Sequence, residues 1–210
     1  MGPLLMALLG MMLLPLFVGS WRTSLAGLCS QGILLAWVAY RIHPELDTAG
    51  QWITLFDLVV VRGIGAPLFL YRVMRAHRVA ARYDVLPPNL LSWTIALVFV
   101  MIAFNVADTL VPESGDPETM IAVATTGLLL GFLILATQAG PFSQIAGAIR
   151  IENAVALFAL AENSAGQPLA IELGQLFIVA VTIGLYRWHL VHLGASVVEL
   201  PAGHVEEPTL

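Results

Sequence analysis

Seven apolar runs, at 3–19, 24–42, 51–71, 89–110, 119–138, 142–161 and 170–190, carry the hydrophobic positions of this chain. Each approaches the ~20 residues with which a helix crosses ~30 Å of hydrocarbon. The breaks between them hold the residues that end helices: Gly19-Ser20, His43-Pro44, Pro87-Pro88, Pro112 to Pro117, Gly140-Pro141 and Gly166 to Pro168. The pattern predicts an all-α, polytopic membrane bundle of about seven transmembrane helices. The first run is the shortest and contains Pro15, a kink position. No basic residue precedes Arg22, so residues 3–19 read as a retained span rather than a cleaved leader.

Composition agrees with this class. The chain is 59% hydrophobic, 11% charged and has a mean hydropathy of +0.87, whereas soluble domains are about 25% charged. All nine basic residues are arginine. Arg22, Arg72, Arg75, Arg78, Arg82 and Arg187 fall on one side of a seven-span arrangement, and Arg41 alone on the other, among Glu45, Asp47, Asp108, Glu113, Asp116, Glu118 and Glu162. The positive-inside rule then places the N-terminus outside and the C-terminus in the cytoplasm. The net charge of −5 lies largely in the connections and gives no reason to expect a nucleic-acid partner.

Polar residues inside the spans are the candidates for function. Glu152 sits midway along the sixth run, where a carboxylate costs roughly 2.5 kcal/mol or more to insert. Such a group normally faces a bundle interior or wet cavity and handles ions or protons. Arg62 lies mid-span in the third run, with Asp57 five residues before it. On an α-helix those two point about 140° apart, so each is expected to seek a partner on another helix. An Arg62–Glu152 ion pair follows as an expectation, either within a proton path or as a fixed register contact. Arg150 points away from Glu152 and toward the cytoplasmic end, where it can snorkel. Glu172 and Gln175 share a face of the last span.

Other features carry less. Arg72, Arg75, Arg78 and Arg82 form one stripe, suited to lipid headgroups or to an acidic cytoplasmic partner. Gly127 and Gly131 form a GxxxG pair, and small residues crowd the sixth run, which allows close helix packing. His189 and His192 lie too near the cytoplasmic end to clamp a haem between spans. Cys29 is the sole cysteine, so thiolate-held iron–sulfur clusters and zinc ribbons are excluded from this chain. No catalytic residues and no metal ligands are assigned.

The stretch Gln144 to Leu160, with its Glu152-Asn153 step among small residues, resembles the glutamate-bearing helix of the hydrogenase-4 component E family. Asp57 to Pro67, with Arg62 five residues before the proline, is similar to that family's third span. The family is related over its last three spans to the K subunit of complex I and to a subunit of multisubunit cation/proton antiporters. The resemblance divides the chain into a four-helix part, 1–118, a K-like three-helix part, 119–193, and a cytoplasmic tail, 194–210. It departs from pattern in the last span, where Gln175 stands in place of a second carboxylate, with Glu172 one turn away.

This likeness implies a non-catalytic subunit in the inner membrane of a prokaryote. It implies partners as well: antiporter-like membrane subunits, a cytoplasmic redox module and the lipid bilayer. Iron–sulfur clusters and, in hydrogenases, nickel–iron would sit on partner chains, with no cofactor here. Glu152, Arg62, Glu172, Gln175, Asp57 and Arg150 would contribute to proton translocation. Two alternatives stand beside it: a cation/proton antiporter subunit without a redox module, and a structural scaffold.

Overall fold

The structure is a computed structural model that describes residues 1–17, 21–76, 90–111, 115–137, 141–162 and 169–197. The described residues are almost wholly helical, without strands. In chain order they form α1 (Gly2–Phe17), α2 (Trp21–Ile42), α3 (Ala49–Phe56), a π-helical segment (Asp57–Gly65), α4 (Ala66–Ala76), α5 (Leu90–Leu110), α6 (Asp116–Thr137), α7 (Pro141–Glu162) and α8 (Leu169–Val197). Segment α3, the π-helix and α4 make one continuous rod. Among the described residues six helices are long and apolar enough to cross a membrane, and the apolar helix at 2–14 is shorter. The protein is therefore a multi-pass membrane helix bundle.

Local chemistry explains several boundaries. The Thr48 hydroxyl accepts the Gln51 backbone N–H while the Gln51 side chain accepts the Thr48 N–H, a reciprocal capping box that starts α3. Just before it Leu46 adopts a φ of 49°, uncommon for a residue with a side chain, and turns the chain from α2 into α3. Asp116 and Glu118 lie in the first turn of α6, where they complement the helix dipole. Within α1, residue 15 is proline and offers no N–H to the Met11 carbonyl. Gln31 of α2 supplies the donor instead, its Nε2 lying 3.0 Å from that carbonyl oxygen.

Packing is tightest where side chains are absent. The α6 and α7 helices make the most extensive contact in the bundle. A Cβ at Gly131 would stand 2.5 Å from Ile151 Cγ1, and one at Gly127 would stand 2.7 Å from Met12 Sδ. The GxxxG pair thus seats α6 on both α7 and α1. Gly32 of α2 meets Gly63 of the π-helix, where an added Cβ would lie 2.5 Å from Gly63 Cα. That backbone-to-backbone approach is open only to glycine and presses the π-helix against α2.

A main apolar cluster joins α1, α2 and α6 with the C-terminal half of α7 around Leu5, Leu8, Leu35, Val123 and Leu157. A second joins Leu25, Leu28, Ala66, Leu70, Ile145 and Ile149 near the opposite end. The last helix stands apart. It packs mainly on α7 and α3, and Phe177, Ile178, Leu185 and Trp188 lie exposed along it, as lipid-facing side chains do.

Candidate functional site

Where the rod changes from α to π, its hydrogen bonds run to the fifth residue back, as from the Ala66 N–H to the Val61 carbonyl. Two sequence features favour this. Pro67 cannot donate to the ladder and crowds the carbonyl four residues before it. Gly63 and Gly65 leave room where a Cβ would press within 3.1 Å and 3.0 Å of the Leu58 and Val60 carbonyls.

The wider turn changes which side chains meet. In a π-helix residue i+5 stacks above residue i, so Arg62 Nε reaches Asp57 Oδ2 at 2.7 Å. Arg62 is 1% and Asp57 5% exposed. This corrects the expectation that the two diverge and seek partners elsewhere: the α-helical angle does not apply to this segment. It also corrects the expected Arg62–Glu152 ion pair. The guanidinium is committed to its own helix, although it and Asp57 both lie near enough to act electrostatically on Glu152.

Glu152 occupies the seam between α7 and α8, partly buried, and accepts a hydrogen bond from the Thr182 hydroxyl at 3.3 Å. Beside it Asn153 is fully buried and turns the other way, its Nδ2 lying 3.5 Å from Gln31 Oε1. Gln31 thus joins α1, α2 and α7 through polar contacts at mid-bundle. Arg150 is 3% exposed and does not snorkel to a headgroup region. The turn of α7 that carries it also carries Ala146 and Ile149, which the second apolar cluster covers with α2, α4 and α8. Protein closes over the side chain before it can reach the membrane surface.

Nearer the other end, Glu172 is buried in the first turn of α8 and accepts a hydrogen bond from the Thr54 side chain. Its carboxylate lies directly against Gly50, where any Cβ would collide with it. Gln175, one turn on, lines a small cavity with Glu172, Thr54 and Asp57. The candidate residues therefore form a column. Glu172, Thr54 and Gln175 stand at the end where α2 and α7 finish. Asp57, Arg62, Gln31, Asn153, Glu152 and Thr182 stand at mid-depth, and Arg150, Ser24 and Ser143 lie toward the far end, all three buried.

Sequence reasoning did not single out Gln31, Thr54 or Thr182. The missing donor at Pro15 was a usable signal for Gln31. The threonines carried none, since their roles depend on which helices meet.

Arg72 and Arg75 lie exposed on α4; Arg78 and Arg82 fall outside the described residues, as does 198–210 of the tail. His192 is occupied locally, with Nδ1 2.8 Å from the Trp188 carbonyl oxygen and its ring 4.5 Å from the Trp188 ring. Among the described residues no group of three or more His, Cys, Asp or Glu side chains is placed to hold a metal ion. No family model, curated protein or solved structure matches the chain.

Proposed function

We propose that this chain is a membrane-arm subunit of a complex I-like respiratory oxidoreductase, of the hydrogenase-4 or formate hydrogenlyase type. In this reading its buried charged residues form part of a proton path coupled to electron transfer on partner chains. The resemblance around Glu152-Asn153 and around Arg62 supplies the name of the assembly. One geometric observation carries the chemistry: Glu152 sits at mid-depth in the sparsely packed α7–α8 seam, held by one hydroxyl and within electrostatic reach of a buried ion pair.

The physical argument is a contrast in commitment. Asp57 is committed to the Arg62 guanidinium on its own helix. Among the described residues Glu152 has no bonded cation, so its charge state depends on what lies near it. A change of charge in a neighbour shifts that balance. A proton path needs such a group between fixed charges, and intramembrane carboxylates of this kind handle protons by default. Seven crossings, with α1 as the first, and a cytoplasmic C-terminus belong to this proposal, as does a prokaryotic inner membrane. Antiporter-like subunits would flank the chain, and a cytoplasmic redox module would hold the iron–sulfur and nickel–iron centres.

The test is Glu152→Gln in the native assembly reconstituted into liposomes. The variant is expected to assemble and sustain electron transfer while its coupled proton movement collapses. Normal proton movement would remove Glu152 from the path. Isolation in mild detergent settles the assembly: a hydrogenase-like large subunit should copurify, whereas a complex with antiporter subunits alone favours the antiporter reading.

A further inference from the structure

Two cavities of about 20 Å³ each flank Glu172. The first is lined by His43, Gln51, Thr54 and Glu172 among others. The second is lined by Thr54, Asp57, Glu172 and Gln175 among others. Three buried atoms on these side chains have no hydrogen-bond partner among the described residues: His43 Nε2, Glu172 Oε2 and Asp57 Oδ1. Each belongs to a residue lining one or both cavities.

A water site needs ~10–15 Å³ of this measure and two to four polar partners. Both cavities meet the volume, and two of the three residues with an unsatisfied atom line each: His43 and Glu172 the first, Glu172 and Asp57 the second. A buried group left without a hydrogen bond keeps its full desolvation cost, so occupation by water is favourable at both places. We propose that His43, Glu172 and Asp57, bridged in turn by one bound water in each cavity, form a proton relay inward from the α2–α3 connection. This inference rests on the proton-path reading and adds its mouth at the arginine-poor end of the bundle.

The placement suits the task. His43 follows the last residue of α2, its backbone N–H still bonded to the Ala39 carbonyl at 3.0 Å, and it is only half-buried. It therefore reaches solvent on one side and the first cavity on the other. Glu172 feels the His43 ring electrostatically. Gly50 leaves the space that the carboxylate fills between the two cavities, and the Thr48–Gln51 capping box fixes that turn. An imidazolium Nε2–H gives its proton to the first water, which releases one of its own to Glu172 Oε2. Glu172 gives that proton to the second water, which releases one of its own to Asp57 Oδ1. There the Asp57–Arg62 pair senses the arriving charge, and through it Glu152.

Two measurements test the relay. A structure of the assembly in lipid, at a resolution that shows waters, should contain one ordered water in each cavity. A dry cavity on either side of Glu172 overturns the relay, whatever the transport assay gives. In reconstituted assemblies His43→Ala should slow proton movement at least ~10-fold, and millimolar imidazole should restore it. A slowed variant that imidazole does not restore, or an unaffected one, contradicts the proposal. If Glu152→Gln abolishes proton movement while His43→Ala does not, the mouth is wrong and the proton-path reading stands.

Discussion

The two flanks of α7 do opposite things. Toward α6 the two helices meet at glycines: added methyl groups at Gly127 and Gly131 would stand 3.3 Å from Ala154 Cβ and 2.5 Å from Ile151 Cγ1, and one at Gly147 would crowd Ile134 and Leu135 at 3.2 Å. Toward α8 its contact is far less extensive than toward α6. The first flank is closed by shape. The second holds Glu152 and one hydrogen bond from Thr182. The difference shows where the molecule is built to stay fixed and where it can respond. Close packing holds one arrangement because any shift forfeits many contacts at once, and an ionisable group in a loose seam meets no such resistance.

Four substitutions probe this contrast, in falling order of expected effect. Asp57→Ala leaves the Arg62 guanidinium buried without its carboxylate and should destabilise the folded chain by roughly 3–5 kcal/mol. Thermal unfolding in detergent measures it, and replacing Arg62 with Met in the same chain should recover much of the loss. Gly131→Val drives a branched side chain into Ile151 and should cost about 1–3 kcal/mol, read by the same unfolding assay. Thr182→Val removes the hydroxyl from Glu152 and should cost about 0.5–1.5 kcal/mol, with a larger effect on proton movement than on unfolding. Gly184→Val, at an exposed position of α8, should change stability by no more than about 0.5 kcal/mol. Equal losses at Gly131 and Gly184 would contradict the close packing of α6 on α7.

Much of the architecture was legible from apolar run length and punctuation. The expected run at 24–42 and the observed Trp21–Ile42 share an end at residue 42, before His43-Pro44. The expected 142–161 and observed Pro141–Glu162 agree within one residue at each end. The last helix outruns its expected end at 190, reaching Val197, because a polar residue such as His192 does not itself stop a helix.

The site was legible as a set of residues and not as a set of contacts. Glu152, Arg62, Asp57 and Glu172 all stand out as charges within apolar runs. Their partners depended on two things outside a periodic reading. One is local: the π-helix at Asp57–Gly65, which turns a five-residue spacing from divergent into bonded. Pro67 with Gly63 and Gly65 hints at a weakened ladder without fixing the kind of turn. The other is tertiary: Thr54, Thr182 and His43 acquire meaning only once α3, α8 and the end of α2 lie beside the carboxylates. Arg150 failed for the same reason, since a snorkelling argument treats one helix in lipid and neglects the helices that enclose it.

The central claim is that Glu152 changes protonation while the assembly works. Infrared difference spectroscopy of the reconstituted assembly, comparing resting and turning-over states, reads a protonated carboxyl directly through its C=O stretch. A band that changes with turnover and is missing from Glu152→Gln is the expected result. A spectrum identical in the wild type and the variant would contradict it.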